Sequence, residues 1–508
     1  MEILQPTSGT IIKRFLKSNY NGKYNPSEYL LLLEDISNKL NNIDKNLIKK
    51  LLGKYTKIDN NKLIINTQDP SYYSYDNIMN LILSMPLQIK KINRRFFPRT
   101  NHWIHDDQID DDISDESIKR RTDIFNKISS VEYPAQRSPE WYAQRDQKIT
   151  ASDIGLCLGD DHHNMIHFFL VKKFRETFSN NVHTYHGKKL ETIATMIYEY
   201  RMNVTVNEFG LCHHPKYSFL GASPDGIVSH YKKDGKHKTN LVGRMLEIKC
   251  PTKRKIKITG KEKGDICPAY YWDQVQIQLE TCDLDECDFW QCSIREYDNE
   301  EEFIKDTNID EPFRSLKNNQ EKGCLIQILP TNKFIKHIPG ENTEDYNKLV
   351  WGDAKFIYPD SIEMSPYDCK IWLENTINNL SNTHPGYTYD RSIYWNLTFS
   401  HCQLIKRNRD WFKESIGTLD KMWSRVVFIR NNPRCKKIFL DYYDFYMHEC
   451  QGPDAWKNEY HDKKHKKDKF MLDLVDTMMD KYNKYKDDYN KFDKYLKTLE
   501  DNLEDIKS

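Results

Sequence analysis

No run of about eighteen consecutive apolar residues occurs in this 508-residue chain, so no membrane-spanning helix is expected. The opening Met-Glu-Ile-Leu-Gln-Pro lacks a basic flank followed by an apolar stretch, which argues against a secretory leader. Charge of one sign is missing too: 76 Lys and Arg meet 75 Asp and Glu, for a net charge of +1. Any surface for nucleic acid must therefore be a local patch. The 12 cysteines are scattered, and Cys282, Cys287 and Cys292, near Cys267, form no C-x2-C knuckle. That pattern suits reduced, unligated thiols in an intracellular, reducing compartment. No glycine-rich phosphate loop or dinucleotide fingerprint is present, so ATP-driven motor chemistry is not encoded.

What is present is a folded, soluble composition, 30% charged and 12% aromatic, long enough for two or three domains. Residues 1–130 mix helical stretches such as Ser27 to Leu40 with a strand-like run, Lys62 to Thr67, and carry no chemical motif. They end in an acidic tract, Asp106 to Asp112, read as a solvated linker. A second domain is expected over 133–300, an insertion with closing helices over 301–435, and a Lys-rich helical extension over 436–508. In that extension apolar residues from Met471 to Leu503 alternate at spacings of four and three. This is the seam of a coiled coil or of a long antiparallel helix docked on another.

The chemistry concentrates in residues 221–251. Gly-Ala-Ser-Pro-Asp225-Gly-Ile-Val is followed by a polar break and then Arg-Met-Leu-Glu247-Ile-Lys249-Cys-Pro. Strand side chains alternate between faces, so Glu247 and Lys249 point the same way while Ile248 turns into the core. A lone Glu-x-Lys is most often an ordinary ion pair on a solvated hairpin. Here Ile227, Val228, Leu246 and Ile248 mark buried strands, where unpaired charge is costly and charged groups are usually functional. Two carboxylates can hold Mg²⁺, and the lysine can orient or deprotonate a water. Beside a cation, its ammonium is expected to bind its proton less tightly.

Further pieces flank this pair. Trp141 to Arg145 leads into Ile149-Thr-Ala-Ser152, where Thr150 or Ser152 is expected to cap a helix whose N-terminus, with an arginine, attracts phosphate. Gly187 to Glu191 opens an amphipathic helix that carries a third carboxylate. Lys253, Arg254 and Lys255 begin a basic stretch, and Gln274 and Gln278 share a helix face.

Five ordered blocks together resemble the YqaJ, or lambda-exonuclease-like, branch of the PD-(D/E)xK nucleases. They are Trp141…Arg145…Ile149-Thr-Ala-Ser152, Gly187…Glu191, Ser223-Pro-Asp225-Gly, Leu246-Glu247-Ile-Lys249-Cys-Pro251 and Gln274-Val-Gln276, all within about residues 137–295. The resemblance implies an α/β core, a mixed central sheet flanked by helices, with an N-terminal α-rich domain and a helical C-terminal extension. It implies a Mg²⁺-dependent DNA nuclease, with Mn²⁺ able to substitute, acting 5′ to 3′ on double-stranded DNA ends in viral recombination, repair or replication. Asp225, Glu247, the Ile248 carbonyl and Glu191 would hold the metal. Lys249 would position and activate the attacking water, and Gln274 would support that lysine or the nucleophile. Arg145 and Ser152 would grip a 5′ phosphate, while Lys253, Arg254 and Lys255 hold the backbone. A homo-oligomer, a single-strand-annealing partner protein and a host cytoplasmic or viral replication site fit the same resemblance. The alternatives are a structure-selective or single-strand endonuclease, or a non-catalytic DNA-end-binding assembly protein.

Overall fold

A computed structural model describes residues 23–24, 56–59, 62–65, 114–158, 162–168, 173–174, 181–256, 269–308, 310–338, 343–449 and 458–507. In the first of these, Lys23–Tyr24 and Thr56–Asp59 flank Lys62–Ile65 in a small antiparallel sheet, which covers most of the strand expected at Lys62 to Thr67. The helix expected at Ser27 to Leu40 and the acidic tract at 106–112 lie outside the described residues.

The central element is a seven-stranded mixed sheet. Its strands in chain order are β1 (Val206–Asn207), β2 (Gly226–Val228), β3 (Met245–Lys249), β4 (Glu286–Glu296), β5 (Lys322–Pro330), β6 (Lys355–Ile357) and β7 (Tyr387–Lys406). Across the sheet the order is β6-β5-β7-β4-β3-β2-β1. Only β3 and β4 run parallel, and a parallel pair needs a crossover, here supplied by a helix at Ala269–Cys282. The segment read as an insertion after residue 300 supplies β5 and β7. Strand β7 pairs along the whole of β4, so these residues complete the sheet.

The helices used below are α1 (Asp115–Ser129), α2 (Pro139–Asp146), α3 (Val182–Met202), α4 (Ala269–Cys282), α5 (Arg409–Asn431), α6 (Pro433–Glu449), α7 (Asn458–Lys484) and α8 (Tyr489–Lys507). Helix α3 packs Leu190, Ile193, Ala194 and Ile197 against Leu246, Ile248 and Trp290 on one face of the sheet. On the other face, α4 and α1 pack Val275, Leu279, Phe125 and Ile128 against Ile227, Met245 and Phe289. Strand residues of alternating parity thus go to opposite helix layers, as the pleat requires. Helix α1 begins before the expected start at Tyr133 yet is bound into this core. Its buried Arg121 pairs with Glu286, which also receives Arg244 at 2.9 Å.

The C-terminal seam is not one helix. The chain turns at Tyr485–Asp488, so α7 and α8 are separate helices. Met471, Val475, Met478, Phe492, Leu496 and Leu503 join one cluster with Phe412, Met422 and Val426 of α5 and with Ile149, Ile154 and Ile166. The partner of the apolar stripe is therefore this same chain. Among the described residues no helix is long and apolar enough to cross a membrane.

Candidate active site

Asp225 sits in the Ser-Pro-Asp-Gly turn that enters β2, and Gly226 permits that entry. A side chain at Gly226 would lie 2.1 Å from Val206 Cγ1 on β1, so the two strands approach too closely for any other residue. The antiparallel register sets Gly226 opposite Leu246, which brings Asp225 beside the end of β3. There Asp225 Oδ2 accepts the backbone N–H of Ile248 at 2.6 Å.

Glu247 is 1% exposed and lies beneath α4. Its Oε1 accepts the amide of Gln274 and its Oε2 that of Gln278, each at 2.6 Å. Lys249 Nζ donates to Oε1 as well. A buried carboxylate is tolerated only when it is paired and hydrogen-bonded, and these three donors meet that requirement. Gln274 thus bonds the carboxylate oxygen that Lys249 also meets and orients Glu247. Gln278, four residues on, has a matching role that the sequence reading left unassigned; the shared helical face was the signal that marked it. Gln276 is structural, bonding the Lys406 carbonyl and the Asn408 N–H where β7 leads into α5.

Lys249 also stands 5.0 Å from the ring centroid of Tyr271. Burial disfavours its ammonium, but Glu247 and then Asp225 outweigh that and hold it above the ordinary lysine range. Glu247 and Asp225 thus oppose the loss of proton affinity that a bound cation would bring to Lys249. Asp225 is pushed well above the usual carboxylate range by burial, and further by Glu247 and Glu191. Glu191 is raised by burial too, with Glu208 and Glu247 adding repulsion against the relief given by Arg137. Carboxylates that crowd until they favour a proton are a donor set suited to a divalent cation.

Glu191 comes from α3, on the opposite face of the sheet from α4, and its Oε2 accepts from Arg137 at 2.7 Å. Among the described residues no three His, Cys, Asp or Glu side chains are gathered into a complete metal cage. Mg²⁺ does not require one, because it keeps several waters and takes one or two carboxylates. The donor set fits such an ion through Asp225 and Glu247, with Glu191 close enough to be felt electrostatically.

A second cluster lies at the end of α2. Arg145 donates to Ser152 Oγ at 2.9 Å and stacks over Trp141 with its guanidinium 4.4 Å from the ring centroid. Thr150 caps the following turn through Asp153, accepting and returning hydrogen bonds in a capping box. That turn is a 3₁₀ segment, Ala151–Asp153, leading into the short helix Ile154–Cys157. With so little aligned backbone behind it, the expected helix-end attraction for anions falls to Arg145. Two links tie the cluster to the carboxylates. Ile149–Thr150 pairs with Leu220–Ala222, and Trp141 Nε1 donates to Ser223 Oγ at 3.0 Å, two residues before Asp225. Of the basic stretch, Lys253 and Lys255 are exposed, while Arg254 donates to Gln291 Oε1 at 3.1 Å. Lys257 to Lys263 lie outside the described residues.

Comparison with known proteins bears on this arrangement. The uncharacterized protein R354 of Acanthamoeba polyphaga mimivirus is 40% identical over 321 residues, an alignment spanning 62% of this chain and 56% of the relative. The chain thus spans little more than half of that protein's length. Among solved structures, an alkaline exonuclease from Laribacter hongkongensis covers 57% of this chain and 92% of its own at 17% identity, with a TM-score of 0.29. The same enzyme in complex with dAMP gives 18% identity and a TM-score of 0.28. Residues 140–285 match the sequence profile of the YqaJ-like viral recombinase domain, and they span Arg145, Ser152, Glu191, Asp225, Glu247, Lys249 and Gln274. Over this segment the chain is similar to the YqaJ-like viral recombinase domain.

Proposed function

We propose that the chain is a Mg²⁺-dependent deoxyribonuclease that degrades double-stranded DNA from its ends in the 5′ to 3′ direction. The observation that carries the reading is the convergence of Asp225, Glu247 and Lys249 at the end of two buried strands, with both Glu247 oxygens held by Gln274 and Gln278. An ordinary structural ion pair has no need of a second buried carboxylate raised beside it. Bound at Asp225 and Glu247, Mg²⁺ would lower the pKa of a coordinated water and stabilise charge on the phosphoryl oxygens. The Ile248 carbonyl and Glu191 complete the proposed metal ligands, and Mn²⁺ would serve in place of Mg²⁺.

The chain's own residues supply the rest. Lys249 positions and activates the attacking water beside the phosphoryl oxygens. Gln274 and Gln278 fix the rotamer of Glu247. Arg145 and Ser152 receive the 5′ phosphate, and Trp141 holds the arginine plane. Lys253, Arg254 and Lys255 grip the backbone without reading sequence, since phosphate contacts position rather than specify. The ten cysteines of the described residues are all free thiols, in keeping with work in a reducing compartment. A ring-forming homo-oligomer and a single-strand-annealing partner protein belong to the same reading, which places the enzyme in viral recombination, repair or replication.

The test is digestion of end-labelled linear duplex beside covalently closed circles, with Mg²⁺. Progressive release of mononucleotides from linear DNA while circles survive is the expected result. Cutting of closed circles would overturn the exonuclease assignment and favour an endonuclease. Lys249→Ala and Glu247→Ala should abolish cleavage while DNA binding persists; full activity in either removes the site.

A further inference from the structure

Beside Glu191 a groove of about 560 Å³ opens between the turn at residues 133–137, helix α3 and the segment at residues 208–210. Its polar lining includes Arg137, Lys188, Glu191 and Thr192. Arg137 stands at the inner end, half-exposed, bonded to Glu191 through one guanidinium nitrogen at 2.7 Å. Its backbone is left-handed, with φ of 68°, a conformation that a non-glycine residue rarely adopts. The surrounding turn enforces it. Ser138 N–H bonds the Ala135 carbonyl, and Gln136 Nε2 donates to the Phe209 carbonyl at 2.8 Å. Ser138 then caps α2, accepting from the Trp141 N–H at 3.2 Å. A strained residue held by its neighbours is a place to look for function.

Two cations and two carboxylates, Arg137, Lys188, Glu191 and Glu208, line the groove. Lys355 is near enough to be felt by Lys188. Burial, then Arg137 and Lys355, hold Lys188 below the ordinary lysine range, and Lys188 Nζ rests on the Ala354 carbonyl at 2.6 Å. Cations crowded this way beside a groove are stabilised when an anion enters it. Glu191 answers Arg137, Glu208 lines the same groove, and the proposed metal ion would draw on Glu191.

We propose that this groove is a backbone subsite for DNA, in which Arg137 contacts a phosphate of the strand led toward Asp225 and Glu247, with Lys188 supporting it. The assignment rests on the nuclease reading and adds a contact outside its end-gripping and metal-binding residues. Arg137 exchanges part of its pairing with Glu191 for the phosphate when the strand arrives. The turn that holds it also continues into α2, which carries Arg145, so one rigid segment would position the strand at both places.

The experiment measures duplex binding by the full chain across a salt series in EDTA, so no cleavage is needed. Each phosphate neutralised contributes a slope of about 0.9 in log affinity against log salt. Arg137→Gly suits the left-handed backbone, so it removes the cation without adding strain. It should lower the slope by about one and weaken binding several-fold at low salt, while Arg137→Lys keeps the slope. An unchanged slope in Arg137→Gly, with duplex still bound, overturns the subsite and leaves the nuclease reading intact. Equal loss in Arg137→Lys also overturns it, because charge would then not be what was lost. No salt-dependent duplex binding by the wild-type chain overturns the nuclease reading and the subsite together.

Discussion

Gln278 donates its side-chain amide to Glu247 Oε2 at 2.6 Å, one helical turn past Gln274, which holds the other oxygen at the same distance. Gln278 is 1% exposed, and its own Oε1 has no hydrogen-bond partner among the described residues. The side chain is thus spent as a donor to the carboxylate. Gln278→Met preserves the shape and removes that bond, leaving one oxygen of a buried carboxylate without its donor. The cost should be about 1–3 kcal/mol in urea unfolding. Hydrolysis should fall about ten- to hundredfold, as for other groups that orient a metal ligand. Stability loss with unchanged turnover would reduce Gln278 to a packing residue.

Arg145 lies against Ser152 and Trp141, and burial holds it below the ordinary arginine range despite help from Asp153. A partly buried guanidinium whose side-chain hydrogen bond among the described residues goes to a neutral hydroxyl is ready for an anion. Arg145→Ala should cut the rate on 5′-phosphorylated ends about ten- to hundredfold, the equivalent of a charged hydrogen bond worth roughly 1.5–3 kcal/mol. Ends bearing a 5′ hydroxyl should change little. Equal loss on both ends, followed by competing one substrate against the other, would place Arg145 outside end recognition.

Much of the site was legible because its logic is local. Alternation on β3 put Glu247 and Lys249 on one face, and helical spacing put Gln274 and Gln278 together. What stayed hidden depends on distant pairing. Nothing near Arg137 in the chain announces that it reaches Glu191, fifty-four positions away. Strand β7 is twenty residues long with little apolar alternation at its start, and its place beside β4 is set by hydrogen bonding across the sheet. The 3–4 spacing after Met471 was real, but the spacing carries across the turn at 485–488 without registering the break.

Lys322 offers a pH test remote from the carboxylates. It is buried beneath Phe303 and Thr307, donating to Thr307 Oγ1 at 2.7 Å. Burial pushes its pKa down to about 7, with only partial help from Asp306. An unfolded chain holds this proton up to the ordinary lysine range near 10.4. Between these values the unfolded state binds more protons, so stability should rise as the pH climbs from about 7 to about 10. Below pH 7 the full cost of a buried ammonium is present. Lys322→Met should flatten that dependence and stabilise the protein most at pH 6.5. Urea midpoints for both proteins at pH 6.5 and 9 provide the measurement. A wild-type slope retained in Lys322→Met would assign the effect to another group.

The C-terminal helices bear directly on the cluster of Arg145, Ser152 and Trp141. Arg425 of α5 clasps Asp476 of α7 through two bonds of 2.6 and 2.7 Å, and Arg430 donates to both carboxylate oxygens of Asp146 at the end of α2. Lys173 completes the contact by donating to the Arg145 carbonyl at 3.2 Å. Met478 is fully buried in the cluster that also holds Ile149 and Ala151, so α7 supports the strand and turn leading to Ser152. Met478→Ala should therefore cost about 2–5 kcal/mol, the usual range for emptying a buried site of that size. The loss should carry discrimination between 5′-phosphate and 5′-hydroxyl ends with it, while oligomeric state stays the same. Removing residues 470–508 should expose the apolar face of α5 and cause aggregation. A truncated chain that keeps the full chain's oligomeric state, stays soluble and remains selective for 5′ phosphates would separate the helical extension from the site.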